Sequence, residues 1–126
     1  DKVLNFEGET SCYVQYTCAR ANSVLAKGGT AKDFAIGQVL PQEFELVKQL
    51  SEFPATLKDA LEKYEPCFIA RYAVDLAQKY NKFYFDCKIL NAEEKERNFR
   101  LALTEATLIT LKNALSLLGI GVPEKM

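Results

Sequence analysis

The segment "IARYAVDLAQKYNKFYFDC", residues 69–87, decides how this chain folds. Its apolar side chains fall at Ile69, Tyr72, Ala73, Leu76, Ala77, Tyr80, Phe83, Tyr84 and Cys87. Spacing by threes and fours is the period of an amphipathic helix, not of a strand. Three aromatics in a row complicate that reading. Successive helical residues are about 100° apart, so Phe83, Tyr84 and Phe85 together sweep roughly 200°. With the buried stripe centred near Leu76 and Tyr80, Phe83 and Tyr84 fall about 50° to either side, and Phe85 roughly 145° away. The geometry predicts Phe83 in the core and Tyr84 on a shoulder, its ring packed and its hydroxyl wet. Phe85 faces out. Lys88 is expected one turn from both Tyr84 and Phe85. An exposed ring beside a lysine suits stacking on an unpaired base with contact to its phosphate. It suits packing against another protein surface equally well.

Helical signals continue in both directions. Pro41, Pro54 and Pro66 each stand at the head of an apolar-periodic run, where a missing N–H costs nothing. The first run is Phe44, Val47 and Leu50; the second is Leu57, Ala60, Leu61 and Tyr64. Asn91, with Glu94 three residues later, forms a candidate capping box for a last helix from Ala92 to about Leu118, closed by Gly119. That helix carries two ladders, Phe99–Leu103–Ala106 and Leu101–Leu108–Leu111–Leu115–Leu118, a face wide enough for neighbours on two sides. Upstream, Thr10 or Ser11 caps a helix bearing Tyr13, Val14, Tyr16, Thr17, Ala21, Val24 and Leu25, which stops at Gly28-Gly29. "GGTAKDFAIGQ", residues 28–38, reads as a connection. The expected fold is all-α: a bundle of four or five helices over residues 30–126, preceded by one helix within 1–29.

Composition narrows the function. At 126 residues, 48% hydrophobic and 26% charged, the chain fits one globular domain with its own core. No run approaches a membrane span. The first residue is Asp1, so a fragment of something longer is expected. Histidine is absent, which removes Ser-His-Asp and Cys-His catalysis and His-ligated metal. Neither a P-loop nor a G-x-G-x-x-G motif occurs, and "KGGTAK", residues 27–32, lacks the preceding strand that a phosphate cradle requires. Cys12, Cys18, Cys67 and Cys87 form no C-x-x-C pair and read as reduced thiols of a cytoplasmic protein. Metal ligands and catalytic residues are therefore expected to be absent. Net charge is −1, which argues against a generic nucleic-acid binder, DNA included. The charge is nonetheless uneven. Residues 66–92 carry Arg71, Lys79, Lys82 and Lys88 against Asp75 and Asp86, a net of +2. Residues 41–65 carry Lys48, Lys58 and Lys63 against Glu43, Glu45, Glu52, Asp59, Glu62 and Glu65, a net of −3. The aromatic run thus lies in the most basic third.

Three segments, in order, resemble the C-terminal portion of arginyl-tRNA synthetases. They are "YVQYTCARANSVL" (13–25), "EPCFIARYAVDLAQKYNKFY" (65–84) and "RLALTEATLITLKNALSLLGIGVPEKM" (100–126). The ending Leu118-Gly119-Ile120, then Pro123-Glu124 and the final Met126, is the most specific. The resemblance implies the helical anticodon-binding domain of a class I aminoacyl-tRNA synthetase, serving translation. Its partners would be arginine tRNA and an upstream catalytic domain of the same polypeptide, which uses ATP and magnesium. The fragment itself would be inactive and hold no cofactor. It further implies that Tyr84 and Met126 meet the anticodon loop, with Tyr13, Tyr16 and Arg20 nearby. Phe85 and Lys88 join them from wheel geometry. Where the family usually has histidine, this chain has Cys18 and Cys67, for which packing roles are expected. Each site residue also has a plainer reading: Tyr13 and Tyr16 packing on the bundle, Arg20 pairing with Glu9 or Asp33, Met126 a free end. The rival functions are a helical protein-interaction domain and the equivalent domain of another class I synthetase, such as the cysteine enzyme.

Overall fold

A computed structural model describes residues 11–29, 38–63 and 65–119. Five helices follow one another: α1 (Ser11–Gly28), α2 (Pro41–Ser51), α3 (Phe53–Lys63), α4 (Pro66–Asp86) and α5 (Glu94–Leu117). No strand occurs among the described residues. The all-α expectation holds. α4 is the axis of the bundle, and each of the other four helices packs against it. α5 also lies along α1 and touches α2, which accounts for its wide apolar face. α1 shares the common core through Val14, Cys18, Ala21 and Val24. Tyr80, Phe83, Leu76, Leu101 and Leu111 are fully buried, each worth roughly 1.5–3 kcal/mol of transfer free energy.

The prolines sit where the sequence places them. Pro41 and Pro66 open α2 and α4, and Pro54 is the second residue of α3. Without an N–H, Pro54 cannot continue the ladder of α2, so α2 stops at Ser51. Gly29 and Gly119 both have positive φ, 82° and 78°, as helix C-terminal glycines do. Gly28 has a different reason: a Cβ there would come within 2.8 Å of methyl carbons on Leu90 and Leu101. Its bare backbone lets α1 approach α5.

Three expectations are corrected. The first concerns α2. Phe44 is 59% exposed and Val47 is exposed too, whereas Glu43, Leu46 and Gln49 are buried. The helix is turned by about one residue, or 100°, from the apolar stripe. Glu43 supplies the cause: its Oε2 accepts from Arg100 Nε on α5 at 2.9 Å, and its Oε1 accepts from the Leu40 N–H at 2.9 Å. Arg100 also donates to the Lys88 carbonyl at 2.5 Å. A buried ion pair thus overrides the hydrophobic pattern. Leu61 on α3 is likewise exposed, and Tyr64 lies outside the described residues.

The second concerns Asn91, which does not cap α5. The Ala92 N–H is turned back to the Ile89 carbonyl (3.4 Å), Ile89 is buried, and the helix begins only at Glu94 behind an extended Glu93. The third concerns Lys88. α4 ends at Asp86 and Cys87 is extended, so Lys88 stands on the α4–α5 connection rather than one helical turn beyond Tyr84.

Cys18 is buried, and burial pushes its thiol up to about 11; Tyr80 is pushed up to about 12 for the same reason. The packing role expected for Cys18 fits this environment. Both groups are held neutral by the fold. The Cys18 contribution is complete below the unfolded thiol value near 9 and is lost as pH rises toward 11, because the native state then retains a proton that the unfolded state has released. For Cys18 alone the loss is about 2–3 kcal/mol, read as a falling urea midpoint between pH 9 and 11. At pH 8, thiol-reactive dye should modify exposed Cys12 in the native chain, and Cys18 and Cys87 only after unfolding.

Candidate nucleic-acid interface

α1 and α4 meet through one polar cluster. Tyr13, Thr17 and Arg20 recur every three or four residues along α1, which puts them on one face. They face Asn81 of α4. The Asn81 amide donates to the Tyr13 hydroxyl (2.9 Å) and to Thr17 Oγ1 (2.9 Å), while its Oδ1 accepts from an Arg20 guanidinium nitrogen at 2.7 Å. Thr17 passes its own proton to the Tyr13 carbonyl at 3.0 Å. Asn81 is only 8% exposed. Every hydrogen-bonding direction of its side chain but one lone pair is used.

The Arg20 guanidinium continues from this cluster into a ring cage. Its carbon lies 5.1 Å from the Tyr16 ring centroid, 4.6 Å from Tyr84 and 5.0 Å from Phe85. A second nitrogen donates to the Tyr16 hydroxyl at 3.3 Å. Tyr84 and Phe85 meet edge to face, with centroids 5.5 Å apart at 85°. Each cation–ring contact is worth about 0.5–2 kcal/mol, so the cage fixes the rings without burying them. Phe85 remains 72% exposed and Tyr16 50%, and Tyr84 is half-buried. The wheel placed Phe83, Tyr84 and Phe85 correctly.

Beside the rings runs an open groove of about 780 Å³. Its walls are α1 (Tyr16, Arg20, Lys27), the end of α4 (Tyr84, Phe85, Asp86) and the connection carrying Lys88. Asp86 is engaged by Lys82 (3.1 Å) and Gln42 (3.3 Å), and the Lys82 hydrogen bond holds its carboxyl below the usual range. Lys27 and Lys88 have no ion pair among the described residues. The groove therefore offers flat rings and two uncommitted ammonium groups. Among the described residues no cluster of His, Cys, Asp or Glu could hold a metal ion. Such a surface can stack planar groups and pair with anions.

Of the residues singled out by sequence, Tyr16, Arg20, Tyr84, Phe85 and Lys88 line this one groove. Tyr13 stands one turn back, joined through Asn81. Met126 lies outside the described residues, as do the alternative Arg20 partners Glu9 and Asp33. Sequence reading missed Asn81, Thr17 and Lys27. The one available signal was Asn81 itself, a poor helix former in the middle of a strong helix.

Comparison with known proteins places the chain in a family. Residues 14–126 match the DALR anticodon binding domain model. The arginine–tRNA ligase of Lactiplantibacillus plantarum is 49% identical over 128 residues, covering all of this chain and 23% of that protein. The arginine–tRNA ligase of Clostridium acetobutylicum is 46% identical over 99% of this chain and 23% of its own length. The solved arginyl-tRNA synthetase of Thermus thermophilus superposes with a TM-score of 0.89 at 38% identity, over 96% of this chain and 22% of that one. This chain thus spans under a quarter of its relatives' length. It belongs to the DALR anticodon binding domain family, in the form carried by arginyl-tRNA synthetases.

Proposed function

We propose that this chain binds the anticodon stem-loop of arginine tRNA, within a longer arginine–tRNA ligase that joins arginine to its tRNA. The single observation that carries this reading is the gathering of Tyr16, Tyr84 and Phe85 around Arg20 beside a groove with two lysines that form no ion pair among the described residues. Tyr84 and Phe85 offer ring faces to loosened bases, Tyr16 and Tyr13 flank them, and Lys88 and Lys27 meet the flanking phosphates. Met126 joins the same loop on the strength of the family resemblance. Arg20 sets the rings in place, held through one nitrogen by Asn81 and through another by the Tyr16 hydroxyl. Arginine transfer, with ATP and magnesium, belongs to the rest of the polypeptide, and the setting is cytoplasmic translation. No described helix is long and apolar enough to cross a membrane.

The test is a titration with an arginine tRNA anticodon stem-loop and with the same stem closed by full pairing. Binding to the loop form should be tighter and should weaken with salt. Lys27→Ala and Lys88→Ala should each lower the slope of log K against log salt by about 0.7, one released counterion on single-stranded RNA. Equal binding of both RNAs, or none, contradicts the proposal. A second reading, a protein-docking domain, draws on the exposed Phe44 and Val47 of α2 and Leu61 of α3. It predicts contact on that face instead.

A further inference from the structure

We infer that Asn81 is a positioning residue for RNA binding: it never touches the RNA, but fixes Arg20 so that the rings of α1 and α4 form one platform. This rests on the RNA-binding reading above. The platform is built from two helices that have no covalent reason to keep their register. Tyr16 and Arg20 come from α1; Tyr84 and Phe85 come from α4. Phe85 lies one helical turn after Asn81, so any shift of α1 along α4 moves Arg20 out from between the rings. Asn81 opposes that shift by holding three points of α1 at once, Tyr13, Thr17 and Arg20. The amide meets both demands, with two donors for two hydroxyls and an acceptor for a guanidinium. At 8% exposure, water cannot take its place. With its hydrogen bonds spent internally, Asn81 has little left to offer a ligand. Its work is to aim its neighbours.

A role exerted through Arg20 has a signature that simple destabilisation lacks. Asn81→Ala and Arg20→Ala should each weaken stem-loop binding about tenfold, the loss of roughly one positioned contact, and the double variant should be no weaker than Arg20→Ala alone. The salt slope should stay at the wild-type value, since Lys27 and Lys88 are untouched. Tyr72→Phe removes a different buried hydrogen bond on α4, that from Tyr72 to the Gln49 carbonyl, about 14 Å along the helix. It should leave RNA binding within twofold. Asn81→Asp keeps an oxygen for Arg20 and can accept from the Tyr13 and Thr17 hydroxyls once these turn to donate, so it guards against an alanine variant that fails to fold and should bind within threefold of wild type. Additive losses in the double variant, a tenfold loss from Tyr72→Phe, or a tenfold loss from Asn81→Asp would each overturn the inference while leaving the RNA reading intact. A wild-type chain that binds no stem-loop overturns both.

Discussion

Replacing Glu43 by alanine should lower the free energy of unfolding by about 3–5 kcal/mol, the usual cost of breaking a buried ion pair by removing one partner. Glu43 is 1% exposed and Arg100 nearly buried, so deleting the carboxylate strands a guanidinium that water reaches poorly. The same deletion releases the Leu40 N–H at the head of α2. Against the 5–15 kcal/mol that holds a typical domain together, this is a large fraction. Urea unfolding is the measurement, and the midpoint should move with little change in slope. Replacing both partners with apolar side chains of similar size, Glu43→Leu with Arg100→Met, should recover most of the loss, because no charge is then left unpaired. A single-variant loss under about 1 kcal/mol would mean that the pair is solvated, and that something else turns α2.

The second large effect lies at the rings. Tyr84→Ala should weaken stem-loop binding by about 1–3 kcal/mol, the range for a lost base–aromatic stack. Tyr84 has the shortest approach to the Arg20 guanidinium, 4.6 Å, and props the edge of Phe85 at 5.5 Å. Its removal takes one stacking face and unsettles two neighbours. Phe85→Ala deletes only the outermost ring and should cost less. Tyr84→Phe keeps the ring and should bind within about threefold of wild type, since stacking needs the face and not the hydroxyl. A folded Tyr84→Ala chain with unchanged affinity removes Tyr84 from the binding surface.

The sequence was most legible where local pattern and tertiary packing agree. The period of α4, the three helix-opening prolines and the outward turn of Phe85 all follow from spacing and backbone stereochemistry. It misled where a long-range polar contact outranks pattern. Phe44 and Val47 form a convincing apolar stripe, yet Glu43 points inward because its partner waits 57 residues away on α5. Asn91 has the right neighbours for a cap, but the turn at Ile89 takes up the next N–H first. Lys88 loses its helical register because α4 ends two residues earlier. Asn81 was hidden for the same reason as Glu43: its partners are 61 to 68 residues distant, and nothing local announces a residue whose function is to join two helices.

The most direct measurement is an NMR titration of this chain with the anticodon stem-loop, following the aromatic ring protons. Bases lying on the rings should shift the proton signals of Tyr16, Tyr84 and Phe85 through ring currents, with Phe44, exposed on α2 but not part of the groove wall, unchanged. If the shifts gather instead around Phe44, Val47 and Leu61 while those three rings stay silent, the groove between α1 and α4 is not where the RNA is read.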